Sequence, residues 1–181
     1  MDRPISLLVL GLGNLLCGDD GLGAAAVARL DRDWEAPEGV RVSDGGTLGL
    51  ALLPYLEDAR DVILVDAVNA DEPPGSLVRL VGEDVAPAVL HRLSPHQIGV
   101  ADLLFGARLR DRYPKSLVLL GLVPASIELA IERSAAVESR LPRLVDEIVA
   151  QAGRMGHVFV RRPNDSSDSR DRGHVARVFG L

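Results

Sequence analysis

The sequence predicts one α/β domain: a twisted, mostly parallel sheet of about five strands with helices on both faces, a three-layer arrangement. Three observations carry that expectation. Aliphatic runs at residues 5–10, 61–66 and 116–123 lack polar alternation, as strands buried on both faces do. Amphipathic stretches with apolar residues three and four apart lie between or after them, and strands alternating with helices form parallel sheets. The chain has 181 residues, 47% hydrophobic and 25% charged, which suits one globular domain. Aromatic residues make up 3%, so the expected core is Leu, Val, Ile and Ala.

Taken in order, residues 5–10 (ISLLVL) form the first strand and end at Gly11. Residues 20–33 read as a helix with Asp-Asp-Gly at its start and Ala24, Ala25, Val27, Ala28 and Leu30 along its apolar side. Carboxylates in a first turn suit the positive end of the helix dipole. Residues 40–43 are a second strand, stopped by Asp44-Gly45-Gly46, and residues 48–56 are helical. Residues 61–66 (DVILVD) are a third buried strand that ends in an acid. Pro73-Pro74-Gly75 marks a turn before a marginal strand at 76–81, and residues 83–90 are a short helical piece.

Ser94-Pro95-His96-Gln97 opens a helix running to about residue 110. Ser94 serves as its N-cap, Pro95 takes the first helical position and Gln97 has capping-box spacing. Residues 116–123 are another strand. Residues 135–153 form a long amphipathic helix through Val137, Leu141, Leu144, Ile148 and Ala152, with Pro142 as a kink point. The domain therefore covers 1–160. Residues 161–181 are polar, rich in Ser, Asp and Arg and without periodicity, and read as a flexible tail.

The formal net charge of −6 and a pI near 5.2 argue against a nucleic-acid partner, because a phosphate backbone would be repelled. The single cysteine, Cys17, allows no internal disulfide. The opening apolar run of about six residues is too short for a signal peptide, and no segment approaches a membrane span. The expectation is a soluble, cytoplasmic protein with no membrane partner.

Gly11-Leu12-Gly13-Asn14 after the first strand invites a dinucleotide-binding reading, with Asp44 as the ribose acid. The third glycine of that fingerprint is replaced by Leu16, however, and Asp19 and Asp20 would face the pyrophosphate. A loop that repels anions attracts cations. Asp19 and Asp20 lie beyond strand one, Asp44 beyond strand two and Asp66 at the end of strand three, while His96 opens a later helix. Parallel sheets gather such positions at one edge, where ligands bind. Carboxylates and a neutral imidazole suit a divalent transition metal. Each residue also has a plainer role: an Asp at a helix start caps it, an Asp after a strand forms a turn, and a lone His at a helix start is structural.

The same residues resemble, in order and spacing, the motifs of the hydrogenase maturation endopeptidases. The opening motif is Gly11-Leu12-Gly13-Asn14-Leu15-Leu16 followed by Asp19-Asp20-Gly21 and Gly23. After it come Asp44-Gly45-Gly46-Thr47, Asp66-Ala67, Ser94-Pro95-His96-Gln97 with Gly99, and Gly121 with Pro124 and Glu128. The resemblance spans about residues 7–153. It implies an endopeptidase that clips the C-terminal extension from the precursor of a [NiFe]-hydrogenase large subunit after nickel insertion. It implies Asp20, Asp66 and His96 as the metal-binding residues, and it agrees with a twisted sheet of about five strands between helices. The opening-motif ligand in the family is Glu or Asp; here it is Asp20, one methylene shorter than Glu, so Asp19 could share its role.

On that resemblance the nickel arrives with the substrate precursor and no small-molecule cofactor is expected. The chain has no His-Glu-x-x-His helix of the kind that zinc proteases use to carry their own metal. Asp20, Asp66 and His96 would complete the coordination of nickel already seated in the precursor. Asp44, with Asp20, is a catalytic candidate: it could orient the substrate or take part in proton transfer, or it could simply be a turn carboxylate. Gly45, Gly46 and Thr47 are the candidate substrate-binding loop, the glycines allowing close backbone approach. Two alternatives stay open: a non-catalytic chaperone for metalloprotein maturation, and a Rossmann-like nucleotide-binding protein. A cysteine-protease pairing of Cys17 with His96 is weaker than either. Glu128 reads as a helix-start residue, His91, His157 and His174 as surface residues, and Trp34 and Tyr55 as packing.

Overall fold

The computed structural model describes residues 3–90 and 98–163. Among these residues seven strands occur in chain order: β1 (Ile5–Leu12), β2 (Trp34–Glu35), β3 (Val40–Gly46), β4 (Ala59–Ala67), β5 (Leu77–Val81), β6 (Ser116–Leu122) and β7 (Val160–Arg161). The helices are α1 (Leu22–Asp33), α2 (Leu53–Asp58), α3 (Val85–Leu90), α4 (Ile98–Leu109), α5 (Ala135–Glu138) and α6 (Leu141–Arg154). The main sheet has five strands in the order β3-β1-β4-β6-β5. Its β3-β1, β1-β4 and β4-β6 pairs are parallel, and only the edge pair β5-β6 is antiparallel. The three-layer, mostly parallel sheet expected from the sequence is the one observed.

Alternation along the strands divides the core in two. Leu7 and Val9 of β1, Ile63 and Val65 of β4, and Leu120 of β6 face Leu22, Val27 and Leu30 of α1 and Leu144 and Ile148 of α6. Leu8 and Leu10, Val62 and Leu64, and Leu119 face Leu56 of α2, Val85 of α3 and Leu103 and Leu104 of α4. Both faces of the central strands are therefore dry, which is why their sequences run apolar without alternation. Leu119 is fully buried in the second cluster. Leu119→Ala is expected to cost about 2–5 kcal/mol of stability. A lower midpoint in chemical denaturation with an unchanged slope is the expected record.

β1 is the pivot of the sheet. The chain leaves β1 through α1 to the edge strand β3, then returns through α2 to β4 on the other side of β1. The carboxyl ends of β1 and β4 thus flank the point where the winding reverses, the usual position of a ligand crevice in such sheets.

Several boundaries differ from the sequence reading. The helix expected from residue 20 begins at Leu22, and residues Gly18–Gly21 form a separate 3₁₀ turn that carries both acids. Asp44-Gly45-Gly46 does not stop the second strand but forms its end, paired with Gly11 and Leu12 of β1. The helical stretch at 48–56 is a 3₁₀ turn, Gly49–Leu52, leading into α2. The long helix expected at 135–153 is two helices. Pro142 lies in the first turn of α6 and so starts that helix instead of kinking it, since a first turn needs no N–H from proline. The segment expected to be tail is docked at its beginning. Arg161 pairs with Trp34, and Arg162 N–H donates to the Asp33 carbonyl at 2.9 Å. Residues 164–181, the rest of that segment, lie outside the described residues, as do Ser94, Pro95, His96 and Gln97.

Candidate active site at the carboxyl edge of the sheet

Asp66 is the penultimate residue of β4 and is 1% exposed. It shares strand parity with Val62 and Leu64, so its side chain lies on the face covered by α2 and α4. Its Oδ1 accepts a hydrogen bond from the N–H of Ala67 at 2.7 Å. Across the ladder it is paired with Gly121, where an added Cβ would lie 2.0 Å from the Asp66 carbonyl oxygen. Glycine there leaves the β4 backbone room at the end of the strand. α4, which packs on the same face, begins at Ile98, immediately after the Ser-Pro-His-Gln segment.

Asp20 is also 1% exposed and comes from the other side of the switch point. Its Oδ2 accepts from the N–H of Asn14 at 2.7 Å. Asn14 closes its own short turn, its Oδ1 accepting from the N–H of Leu16 at 3.0 Å. The 3₁₀ turn sits hard against the end of β1. A Cβ on Gly13 would fall 1.8 Å from the Asp20 carbonyl oxygen, and Gly13 has φ +112°. One on Gly23 would fall 2.2 Å from the Leu12 oxygen and 2.4 Å from the Val65 oxygen. The glycines of the opening motif thus let the α1 N-terminal region press onto both β1 and β4, which fixes Asp20 beside the end of β4.

Two carboxylates from separate segments are therefore buried at one edge of the sheet, each oriented by a backbone N–H. Buried carboxylates are costly unless partnered, and acids and imidazoles are the donor set for a borderline divalent metal. Among the described residues, no three His, Cys, Asp or Glu side chains converge into a metal cluster. The third member of the expected set, His96, lies outside those residues.

Asp44 is placed differently. Its backbone pairs with Gly11, which pairs in turn with Val65, so two strand spacings, about 10 Å, separate Asp44 from β4. It is exposed, and its Oδ1 accepts from the N–H of Gly46 at 2.9 Å. That is the turn-forming arrangement weighed for it in the sequence. Gly46 N–H bonds within the turn while its carbonyl accepts from Gly13 N–H at 3.1 Å, tying the Asp44–Thr47 loop to the opening motif. Thr47 is exposed beside it.

Cys17 is half-buried and bridges to Ala130, as a loop residue does. Glu128, read as a helix-start residue, instead lies exposed in an irregular loop, and no helix begins until Ala135. The sequence reading missed Asn14 as a partner of Asp20, and it missed Ser126 and Ser134, which bind Asp19 from more than 100 residues away. A capping serine before α5 was the only local sign of Ser134.

Comparison with known proteins identifies the family. The family model described as "Hydrogenase maturation protease" matches residues 24–151. The hydrogenase 2 maturation protease of Escherichia coli strain K12 is 34% identical over 145 residues, covering 80% of this chain and 88% of that protein. The hydrogenase expression/formation protein HupD of Rhodobacter capsulatus is 41% identical over 128 residues, 70% of this chain and 60% of that protein. Among solved structures, the hydrogenase maturating endopeptidase HybD of E. coli superposes with a TM-score of 0.84 at 32% identity, covering 87% of this chain and 98% of that one.

Proposed function

The chain belongs to the hydrogenase maturation protease family, and from that premise we propose that it removes the C-terminal extension of a [NiFe]-hydrogenase large-subunit precursor after nickel insertion. The observation that carries this reading is the pair of buried carboxylates, Asp20 and Asp66, held at the switch point of the sheet by backbone N–H groups. The nickel belongs to the substrate. A metal so placed polarises a carbonyl or activates water, which is the chemistry a peptide-bond hydrolysis needs.

The protein's part is to align. Asp20 and Asp66 are fixed before substrate arrives, because their oxygens are held by Asn14 and Ala67. Preorganised ligands spare the ordering cost that mobile side chains would add on binding. His96 supplies the third, neutral donor. The set contains no thiolate, so free metal is held only moderately and a metal-loaded precursor is favoured over an empty one. Asp44, Gly46 and Thr47 would line the approach at the β3 edge, with Gly45 buried behind them near Leu10 and Leu52; Asp44 would orient the extension or accept a proton from water.

The reading assigns the enzyme to the cytoplasm, with the precursor as its partner and no nucleic-acid or membrane partner. The net charge of −6 is in keeping with that. Among the described residues no helix is long and apolar enough to cross a membrane.

His96→Ala tests the ligand set from its third member. Incubated with a nickel-loaded precursor and followed by mass, the variant is expected to lose at least about 100-fold in kcat/KM. That exceeds the 10–100-fold that groups supporting a metal ligand usually contribute. Unchanged turnover would remove His96 from the site. A wild-type protein that binds the precursor and yields no shortened product would turn the assignment toward a maturation chaperone.

A further inference from the structure

Asp19 stands next to Asp20 but is committed elsewhere. It is 1% exposed. Its Oδ1 accepts from the N–H of Ser134 at 2.7 Å. Its Oδ2 accepts from the Ser134 hydroxyl at 2.8 Å, the N–H of Ala125 at 2.8 Å and the N–H of Ser126 at 3.4 Å. All four donors are neutral, and all come from the segment between β6 and α5. Backbone bonds run alongside: Asp19 N–H to the Ser126 carbonyl at 3.3 Å, Gly18 N–H to Ala130 at 2.7 Å, and Ala130 N–H to Leu16 at 2.9 Å.

A carboxylate offers acceptors on both oxygens, and both are taken up by donors here. An amide of the same shape would set its own N–H groups against them. Successive side chains in a 3₁₀ turn diverge by about 120°, so Asp19 and Asp20 cannot face one point. The Gly18–Gly21 turn is gripped from two sides: Asn14 holds Asp20, and the 125–134 segment holds Asp19.

We propose that Asp19 is a positioning residue, not a ligand: by locking the turn to the 125–134 segment it sets where the Asp20 carboxylate stands when the precursor's metal arrives. This rests on the reading of Asp20 given above.

The test uses Asp19→Asn, Ser134→Ala and Asp20→Asn in the full chain, with two readouts. One is kcat and KM for a nickel-loaded precursor. The other is calorimetric titration of the purified protein with nickel(II) alone. Near-ultraviolet circular dichroism establishes that each variant is folded at the assay temperature. Asp19→Asn is expected to lower kcat by about 10–100-fold with KM changed less than about threefold, and to weaken nickel binding without abolishing it. Ser134→Ala, which deletes one of the four bonds, is expected to give a smaller loss of the same kind, and it carries the test should Asp19→Asn not fold. Asp20→Asn is expected to abolish both readouts. Asp19→Asn or Ser134→Ala with wild-type kcat and nickel affinity, beside an inactive Asp20→Asn, would overturn the positioning role and leave the site intact. Abolished nickel binding in folded Asp19→Asn would make it a ligand and likewise overturn the proposal. Wild-type behaviour in Asp20→Asn would overturn the reading of Asp20 and the proposal with it.

Discussion

Asp66→Asn is expected to abolish processing, lowering kcat/KM by more than about 100-fold while leaving the fold in place. The side chain keeps its shape, and Oδ1 can still accept from the Ala67 N–H as it does now at 2.7 Å. What is lost is the negative charge. A carboxylate binds a divalent cation far better than an amide does, because charge–charge attraction in a site this dry is weakly screened. Because the amide keeps the shape and the Ala67 contact, the variant is expected to stay folded at the assay temperature. The two readouts separate chemistry from folding: precursor mass against time, and the denaturation midpoint. Retained processing with wild-type kcat/KM would show that Asp66 is structural.

Gly13→Ala is expected to be the most damaging glycine-to-alanine change among the described glycines. Its Cβ would lie 1.8 Å from the Asp20 carbonyl oxygen, a backbone atom that cannot swing aside. The position also has φ +112°, where any side chain is strained. The two penalties together should cost about 2–4 kcal/mol, and relieving them must push the Gly18–Gly21 turn, and Asp20 with it, away from β4. Processing should fall by more than about tenfold even in the folded fraction. Gly153→Ala is the matched comparison: it lies in α6 with nothing within 4 Å of an added Cβ. There the change should be neutral or stabilise by up to about 1 kcal/mol. Equal thermal unfolding midpoints for the two variants would contradict the packing described for the opening motif.

The layers of this fold were legible because both faces of β1, β4 and β6 are covered, which writes continuous apolar runs into the sequence. The antiparallel edge β5 was visible only as a marginal strand, and direction leaves no mark in so short a segment. Two-residue β2 and β7 were invisible, since their pairing joins Trp34 to Arg161 across most of the chain. Residues 18–21 read as the first turn of a helix because acids at a helix start are common. What separates that 3₁₀ turn from α1 is tertiary: it is drawn toward the 125–134 segment by Asp19. For the site, Asp66 stood out as an acid closing a buried strand, and Asp20 as an acid where a phosphate-binding loop would have bare N–H groups. Asp44 sits at the same edge but two strands away from Asp66, bonded within its own turn. The difference between Asp19 and Asp20 could not be read locally. It depends on Ser134, which lies 115 positions along the chain.

In the proposed function the protease reads metal carried by its substrate through Asp20, Asp66 and His96. The most direct measurement is the rate at which the wild-type protein shortens two forms of one cognate precursor, nickel-loaded and nickel-free, followed side by side by mass spectrometry. Cleavage of the loaded form and none of the empty one is expected over the same hours, with cleavage of the empty form appearing once nickel is inserted. Equal rates on both forms would leave a protease whose carboxylates do not report on the metal, and would contradict metal readout by this site.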